Sequence, residues 1–238
     1  MSKKPLLQTN PAARRKNAIE QEELGLQRLI FFSDAVFAIA ITLLALDIRL
    51  PAAVESPSNA QLLAQLLDLW PKFQAYLLSF LAIGSFWLGH HRRFRFIRRY
   101  DRGLLTLNLL FLMAIAFVPF PTSVISESGN RTATIFYALT MTFAGLMLTA
   151  LWWHASRHNR LTDPGLDARS IRRQFVPLFL TVALFALSIG VAFLNANLAR
   201  LSWLLIVPIA RYAQSDQYPQ IAPRPHDDRK ESQIGSKS

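Results

Sequence analysis

Two groups of residues within one apolar run of this 238-residue chain have the types and spacing to do chemistry. The first is Ser33-Asp34, a hydroxyl beside a carboxylate, with Trp87, His90 and His91 near the end of a later apolar run. The second is Ile39, Thr42, Leu43 and Leu46, spaced i, i+3, i+4, i+7, which is one face of a helix. Ser, Asp and His together invite comparison with a hydrolase triad. Adjacent helical residues diverge by about 100°, so Ser33 and Asp34 cannot line up through one imidazole as a triad requires. No enzyme activity is expected. His90 and His91 diverge in the same way, and no third ligand stands at metal-binding spacing, so neither a metal nor a cofactor is expected. The chain has no cysteine, which removes thiol and disulfide chemistry.

A carboxylate inside an apolar span costs roughly 2.5–3.5 kcal/mol on insertion scales unless it is paired, so Asp34 must face protein or water. On a helical wheel it points about 140° from Ile39. The polar pair and the Ile/Thr/Leu stripe therefore look at different neighbours. Asp34 would anchor the helix within its own subunit, leaving the stripe free to face a symmetry axis. Trp87 and His90 lie one turn apart on an antiparallel segment at the same depth. They are the expected partners of Ser33 and Asp34, with Arg28 and Asn108 as further candidates. Asp47, about 80° from the stripe centre, is expected near an outer mouth, where it would concentrate cations.

The elements that must position these residues are membrane helices. The chain is 52% hydrophobic, and several runs approach the roughly 20 apolar residues that cross a bilayer. Six spans are expected, near residues 28–48, 72–91, 103–122, 132–153, 174–194 and 199–212. The sixth is short and contains Pro208, so it suits a tilted or re-entrant segment. The organisation read from this is a cytoplasmic N-terminal tail over 1–24, a six-helix domain over 25–212 and a disordered cytoplasmic tail over 213–238. Residues 1–27 have no apolar core of a signal peptide. Leu62, Leu63, Leu66, Leu67 and Trp70 have the spacing of a helix lying on a membrane surface, and the connection over 154–173 could hold another.

Charge supports this topology. The formal net charge is +11, which on a soluble protein would suggest nucleic acid. Here the basic residues sit between apolar runs. With both termini inside, 22 of the 26 Lys and Arg fall on the cytoplasmic side, leaving Arg49, Lys72, Arg131 and Arg200 outside. The location expected is the inner (plasma) membrane, multi-pass, with membrane lipid as a partner and no nucleic acid. The arginines over 92–102 could meet anionic headgroups, although a topology signal suffices to explain them. His154 and His158 read as interfacial, and Thr140, Gly145 and Thr149 as small-residue helix packing.

On these residues the sequence resembles the bacterial branch of the transmembrane protein 175 family, the lysosomal potassium channels. The resemblance rests on Arg28, Phe32, Ser33 and Asp34 as an Arg-x-x-x-Phe-Ser-Asp pattern, and on the Ala-Val-Phe-Ala-Ile-Ala-Ile-Thr-Leu-Leu run after it. It extends through Leu46-Asp-Ile-Arg-Leu-Pro51, Trp87-x-x-His90-His91, Asn108-Leu109 and Pro119-Phe-Pro121. It covers most of residues 25–125; beyond about 150, only the number and size of spans agree. The resemblance implies an all-α homotetramer, six helices per subunit, with the first helices around a central pore and no re-entrant selectivity loop. By position, Ile39, Leu43 and Leu46 correspond to stacked hydrophobic constrictions and Thr42 to a selectivity ring. Arg28, Phe32, Ser33 and Asp34 correspond to the signature that holds the pore helices, and K+ is the permeant ion.

Such a pore would gate by dewetting at the Ile39 ring and prefer potassium over sodium only weakly. No span carries a regular arginine series, so a voltage sensor is not expected. The alternative is a proton-coupled secondary transporter using Asp34 and His90; internal repeats and broken midplane helices, which mark transporters, are not found. A non-conducting membrane scaffold is the other rival.

Overall fold

The computed structural model describes residues 11–50 and 58–215, and everything below refers to these. They are helical throughout, apart from loops and one isolated bridge between Ile97 and Thr162. The helices are α1 (Pro11–Ala45), α2 (Asn59–Asp68), α3 (Trp70–Phe94), α4 (Arg102–Phe117), α5 (Pro119–Ser128), α6 (Arg131–Ser156), α7 (Ala168–Leu194), α8 (Ala196–Ser202) and α9 (Ile206–Ser215).

Four stretches are long and apolar enough to cross a membrane: Glu20–Ala45, Arg102–Ser128, Arg131–Ser156 and Ala168–Leu194. Helix α3 has the length, at 25 residues, but Gln74, His90, His91, Arg92 and Arg93 lower its hydropathy, and it is not among the four. The sixth expected span is not one continuous α-helix. It is α8, a 3-10 turn over Trp203–Leu205, and α9. Pro208 has no N–H for the carbonyl four residues back, at Leu204, so the helix tightens there. At the other end of the chain, α1 already runs through residues read as tail. Its 35 residues span about 52 Å at 1.5 Å per residue, more than the roughly 30 Å hydrocarbon core. The C-terminal tail from 216 onward lies outside the described residues.

Side-chain caps start most helices. Asp101 accepts from the Leu104 N–H at 2.8 Å, Asn130 from Ala133 at 2.9 Å and Asp167 from Ser170 at 3.0 Å. Each satisfies one of the free donors of a first turn. Ser58 and Gln61 form a reciprocal capping box on α2. That helix buries none of its residues, as its surface-type leucine spacing predicts. The connection over 154–173 forms no second surface helix. It holds a 3-10 turn over Arg157–Asn159 and an extended piece in which the Arg98 N–H donates to Leu161 O at 2.8 Å and the Asp163 N–H to Phe96 O at 2.9 Å.

Between α4 and α5 the chain bends at Val118–Pro119 without leaving the helical path, and Pro119 opens α5. Gly129 ends α5 in the left-handed region, at φ 55°, a conformation glycine adopts without steric cost. Helix α6 is the centre of the bundle. Ala138, Met141, Ala144, Leu148 and Trp152 are buried between α4 and α7. At Gly145 an added Cβ would come 2.8 Å from Val182 Cγ2, so this glycine sets how closely α6 and α7 approach. Helix α1 packs on α3 and α4 through Leu26, Leu29, Ser33, Phe37, Ala40 and Leu44, a buried line at three- and four-residue steps.

Candidate functional site

The two faces of α1 differ in what they touch. On the outward face Ile39, Leu43 and Leu46 are 58%, 42% and 57% exposed, and Thr42 is exposed between them. The Thr42 hydroxyl donates to Ile39 O at 2.9 Å, which leaves its oxygen lone pairs turned outward. Among the described residues, none buries this stripe. On the inward face Ser33 is fully buried.

Two adjacent residues tie α1 to two different helices. The Trp87 indole Nε1–H donates to Asp34 Oδ1 at 2.8 Å, linking α3 to α1. Ser33 follows another route. Its hydroxyl donates to Leu29 O at 2.8 Å and accepts from Asn108 Nδ2 at 3.1 Å. Asn108 Oδ1 in turn lies 2.9 Å from His90 Nε2. With the amide so placed, His90 is the donor, since an amide oxygen only accepts. The chain His90–Asn108–Ser33–Leu29 thus runs from α3 through α4 to α1, with its side chains buried.

This corrects one expectation. His90 does not reach Ser33 or Asp34; Asn108 stands between, and the Ser33 and Asp34 networks are separate. Divergence of adjacent helical residues explains it, because α4 faces Ser33 while α3 faces Asp34. Arg28 and Phe32 lie on the exposed side of α1 and join neither network.

Several contributors were not foreseen. Phe37, one turn beyond Ser33, is buried with its ring 5.8 Å from those of His90 and Phe111. His90 also stacks on Phe94 at 4.1 Å and on Phe111 at 5.6 Å, so aromatic surface encloses the imidazole. The i, i+4 step from Ser33 was the available signal for Phe37. At the far end of α1, Asp47 does not stand free at a mouth. Its carboxylate accepts from Ser123 Oγ at 2.8 Å and Ser126 Oγ at 2.9 Å, and Lys72 Nζ donates to its backbone carbonyl at 3.2 Å. These bonds join the turn that follows α1 to α5 and α3. A second position of that kind is Asp101, whose oxygens lie 2.9 and 3.0 Å from His154 Nε2 and 3.7 Å from Arg160 at the closer oxygen. Burial raises the Asp101 pKa, but the Leu104 N–H, His154 and Arg160 outweigh it and hold the carboxyl below its usual range.

No group of His, Cys, Asp and Glu suited to a metal ion occurs among the described residues. The arrangement offers no nucleophile aligned with a base. It offers an apolar helix, fixed on one side by two hydrogen-bond networks and uncovered on the other.

The sequence and the fold are similar to those of known proteins. Residues 28–119 match the family described as the endosomal/lysosomal potassium channel TMEM175. A potassium channel of Streptomyces collinus is 42% identical over 176 residues, covering 72% of this chain and 84% of that one. Another from Chamaesiphon minutus is 37% identical over 195 residues, covering 75% and 94%. Among solved structures, that of a lysosomal potassium-selective channel TMEM175 homolog from Chamaesiphon minutus superposes with a TM-score of 0.70 at 31% identity, covering 79% of this chain and 98% of that one.

Proposed function

Since this chain belongs to the TMEM175 family of potassium channels and not to any enzyme family, we propose that it forms a homotetrameric potassium channel in the plasma membrane, with α1 of each copy lining a central pore. The observation that carries the reading is the uncovered stripe of Ile39, Thr42, Leu43 and Leu46 on a helix whose opposite face is pinned to α3 and α4. A symmetry axis running along that stripe would surround an ion path with apolar rings and one hydroxyl ring. The Ile39, Leu43 and Leu46 rings would close the path by dewetting, and Thr42 would offer partial ligands to a mostly hydrated cation. That chemistry supports a modest preference for K+ over Na+. The relatives named as potassium channels support K+ as the permeant ion.

In this reading each subunit has six spans: the four long apolar stretches, α3, and the broken α8–α9 segment. The placement of 22 of 26 basic residues on one side supports cytoplasmic termini. Residues 1–24 and 213–238 would then be the cytoplasmic tails. Arg28, Phe32, Ser33, Asp34, Trp87, His90 and Asn108 hold the pore helix in register; the exposed Arg28 and Phe32 would do so across the boundary between subunits. The proton-coupled transporter is not favoured, because the relatives are channels and Asp34 and His90 share no hydrogen bond.

Recording in planar bilayers tests the reading. Discrete openings with a reversal potential shifted toward the potassium equilibrium value are expected. Gradient-coupled flux without openings would point to a transporter and overturn it. A mass in detergent other than that of four chains would overturn the tetramer.

A further inference from the structure

At the basic end of α3, Arg92 and Arg93 are 6% and 1% exposed. Arg93 donates from Nη1 to Gly89 O at 2.6 Å and from Nη2 to Gln174 O at 2.7 Å, bracing α3 against α7. Its Nε is buried and has no partner. Among the described residues, no carboxylate forms an ion pair with either arginine. A buried cation without a counter-charge is costly, and two side by side more so.

Both guanidinium-bearing residues line a cavity of about 30 Å³ between α3, α6, α7 and α9, walled by Gly89, Gly145, Pro177, Thr181 and Ala210. The Thr181 hydroxyl is already spent on Pro177 O at 2.8 Å and the Ser85 hydroxyl, which also lines the cavity, on Leu81 O at 2.7 Å, and Pro177 has no N–H to offer. The donors left to the cavity are therefore those of the arginines. Arg172 and Arg173 are exposed on the first turns of α7 and add to the positive field there. A cavity of that size has room for a water or a small inorganic anion.

We propose that this cavity is a binding site for a single small monovalent anion, chloride being the physiological one, which offsets part of the positive charge of Arg92 and Arg93 and ties α3 to α6, α7 and α9. The site lies apart from the α1 stripe and does not depend on what that stripe conducts.

Thermal unfolding of the full chain in detergent tests this, comparing potassium chloride or bromide with potassium gluconate at equal ionic strength. The halides should raise the midpoint by about 2–4 °C in a saturable way. Arg92→Gln, which leaves the Arg93 brace intact, should remove most of that shift. Crystals soaked in bromide should show an anomalous peak beside Arg92 and Arg93. Equal midpoints in halide and gluconate would overturn the site, as would an undiminished shift in Arg92→Gln. A cavity holding water alone, or a lipid phosphate at its mouth with no halide, would overturn it as well.

Discussion

Trp87 of α3 donates its indole N–H to the carboxylate of Asp34 on α1 across 2.8 Å, and the neighbouring Ser33 is held by α4 instead. One helix is thus pinned in two directions about 100° apart by consecutive residues. This fixes both its depth and its rotation. Rotation matters most, because a turn of one residue would carry the Ile39 stripe off any axis it faces.

The Asp34–Trp87 bond should appear as a coupling. Asp34→Ala and Trp87→Phe are each expected to destabilise the oligomer. The double variant should lose less than the sum of the two, by about 0.6–2 kcal/mol. A double-mutant cycle on unfolding midpoints in detergent measures this; additive losses would mean the bond does not hold α1.

The two faces of α1 should respond differently to substitution. Ile39→Asn is expected to raise potassium flux into proteoliposomes by wetting the narrowest apolar ring, and Thr42→Ala to lower the K+ over Na+ ratio, both with little change in stability. Leu44→Ala, on the buried face, should cost about 2–5 kcal/mol of stability instead. Flux unaltered in both Ile39→Asn and Thr42→Ala would argue against the stripe as the ion path.

Asn108 is the middle link of its chain, so its loss removes a hydrogen bond on each side. Asn108→Leu should leave His90 without a partner, at about 1–3 kcal/mol for the stranded imidazole, and should leave Ser33 with only its bond to Leu29 O. His90→Phe, which removes one end and keeps the aromatic packing around it, should cost less. Thermal unfolding of the two variants gives the order, and the reverse order would show that the imidazole, not the amide, organises the site.

Asp101 predicts an acid dependence. Its folded pKa lies below the ordinary carboxylate value, so it contributes stability that is full above about 3.9 and is lost as pH falls through the folded value. The unfolding midpoint of the wild type should therefore drop more steeply between pH 5 and 3 than that of Asp101→Asn, which keeps a capping oxygen without the titration. Parallel curves for the two would remove Asp101 from the acid response.

The chain's membrane character, its family, and the division of α1 into an anchored face and a free stripe were legible in residue types at fixed helical spacing. Hydropathy and the 100° step act locally and survive without knowledge of neighbours. The route from His90 to Ser33 was legible only in part: Asn108 was a candidate partner, but its place between the two was not readable. It passes through Asn108, 75 residues from Ser33, and which helix abuts which face is decided by packing. Asp47 shows the same limit: a carboxylate near a helix end reads as a free charge until Ser123 and Ser126 of α5 are seen to close on it.

The sequence by itself determined that α1 is long and apolar enough to cross a membrane, with Ser33 and Asp34 turned away from Ile39, Thr42, Leu43 and Leu46. Covalent order and helical pitch settle that. Only the tertiary structure decided which helix takes each polar group, that the sixth segment breaks ahead of Pro208, and that Arg92 and Arg93 sit buried rather than on the surface with the other arginines of their run. Those outcomes depend on how closely helices far apart in the chain can approach. Small residues such as Gly145, where α6 meets Val182 of α7, set that distance.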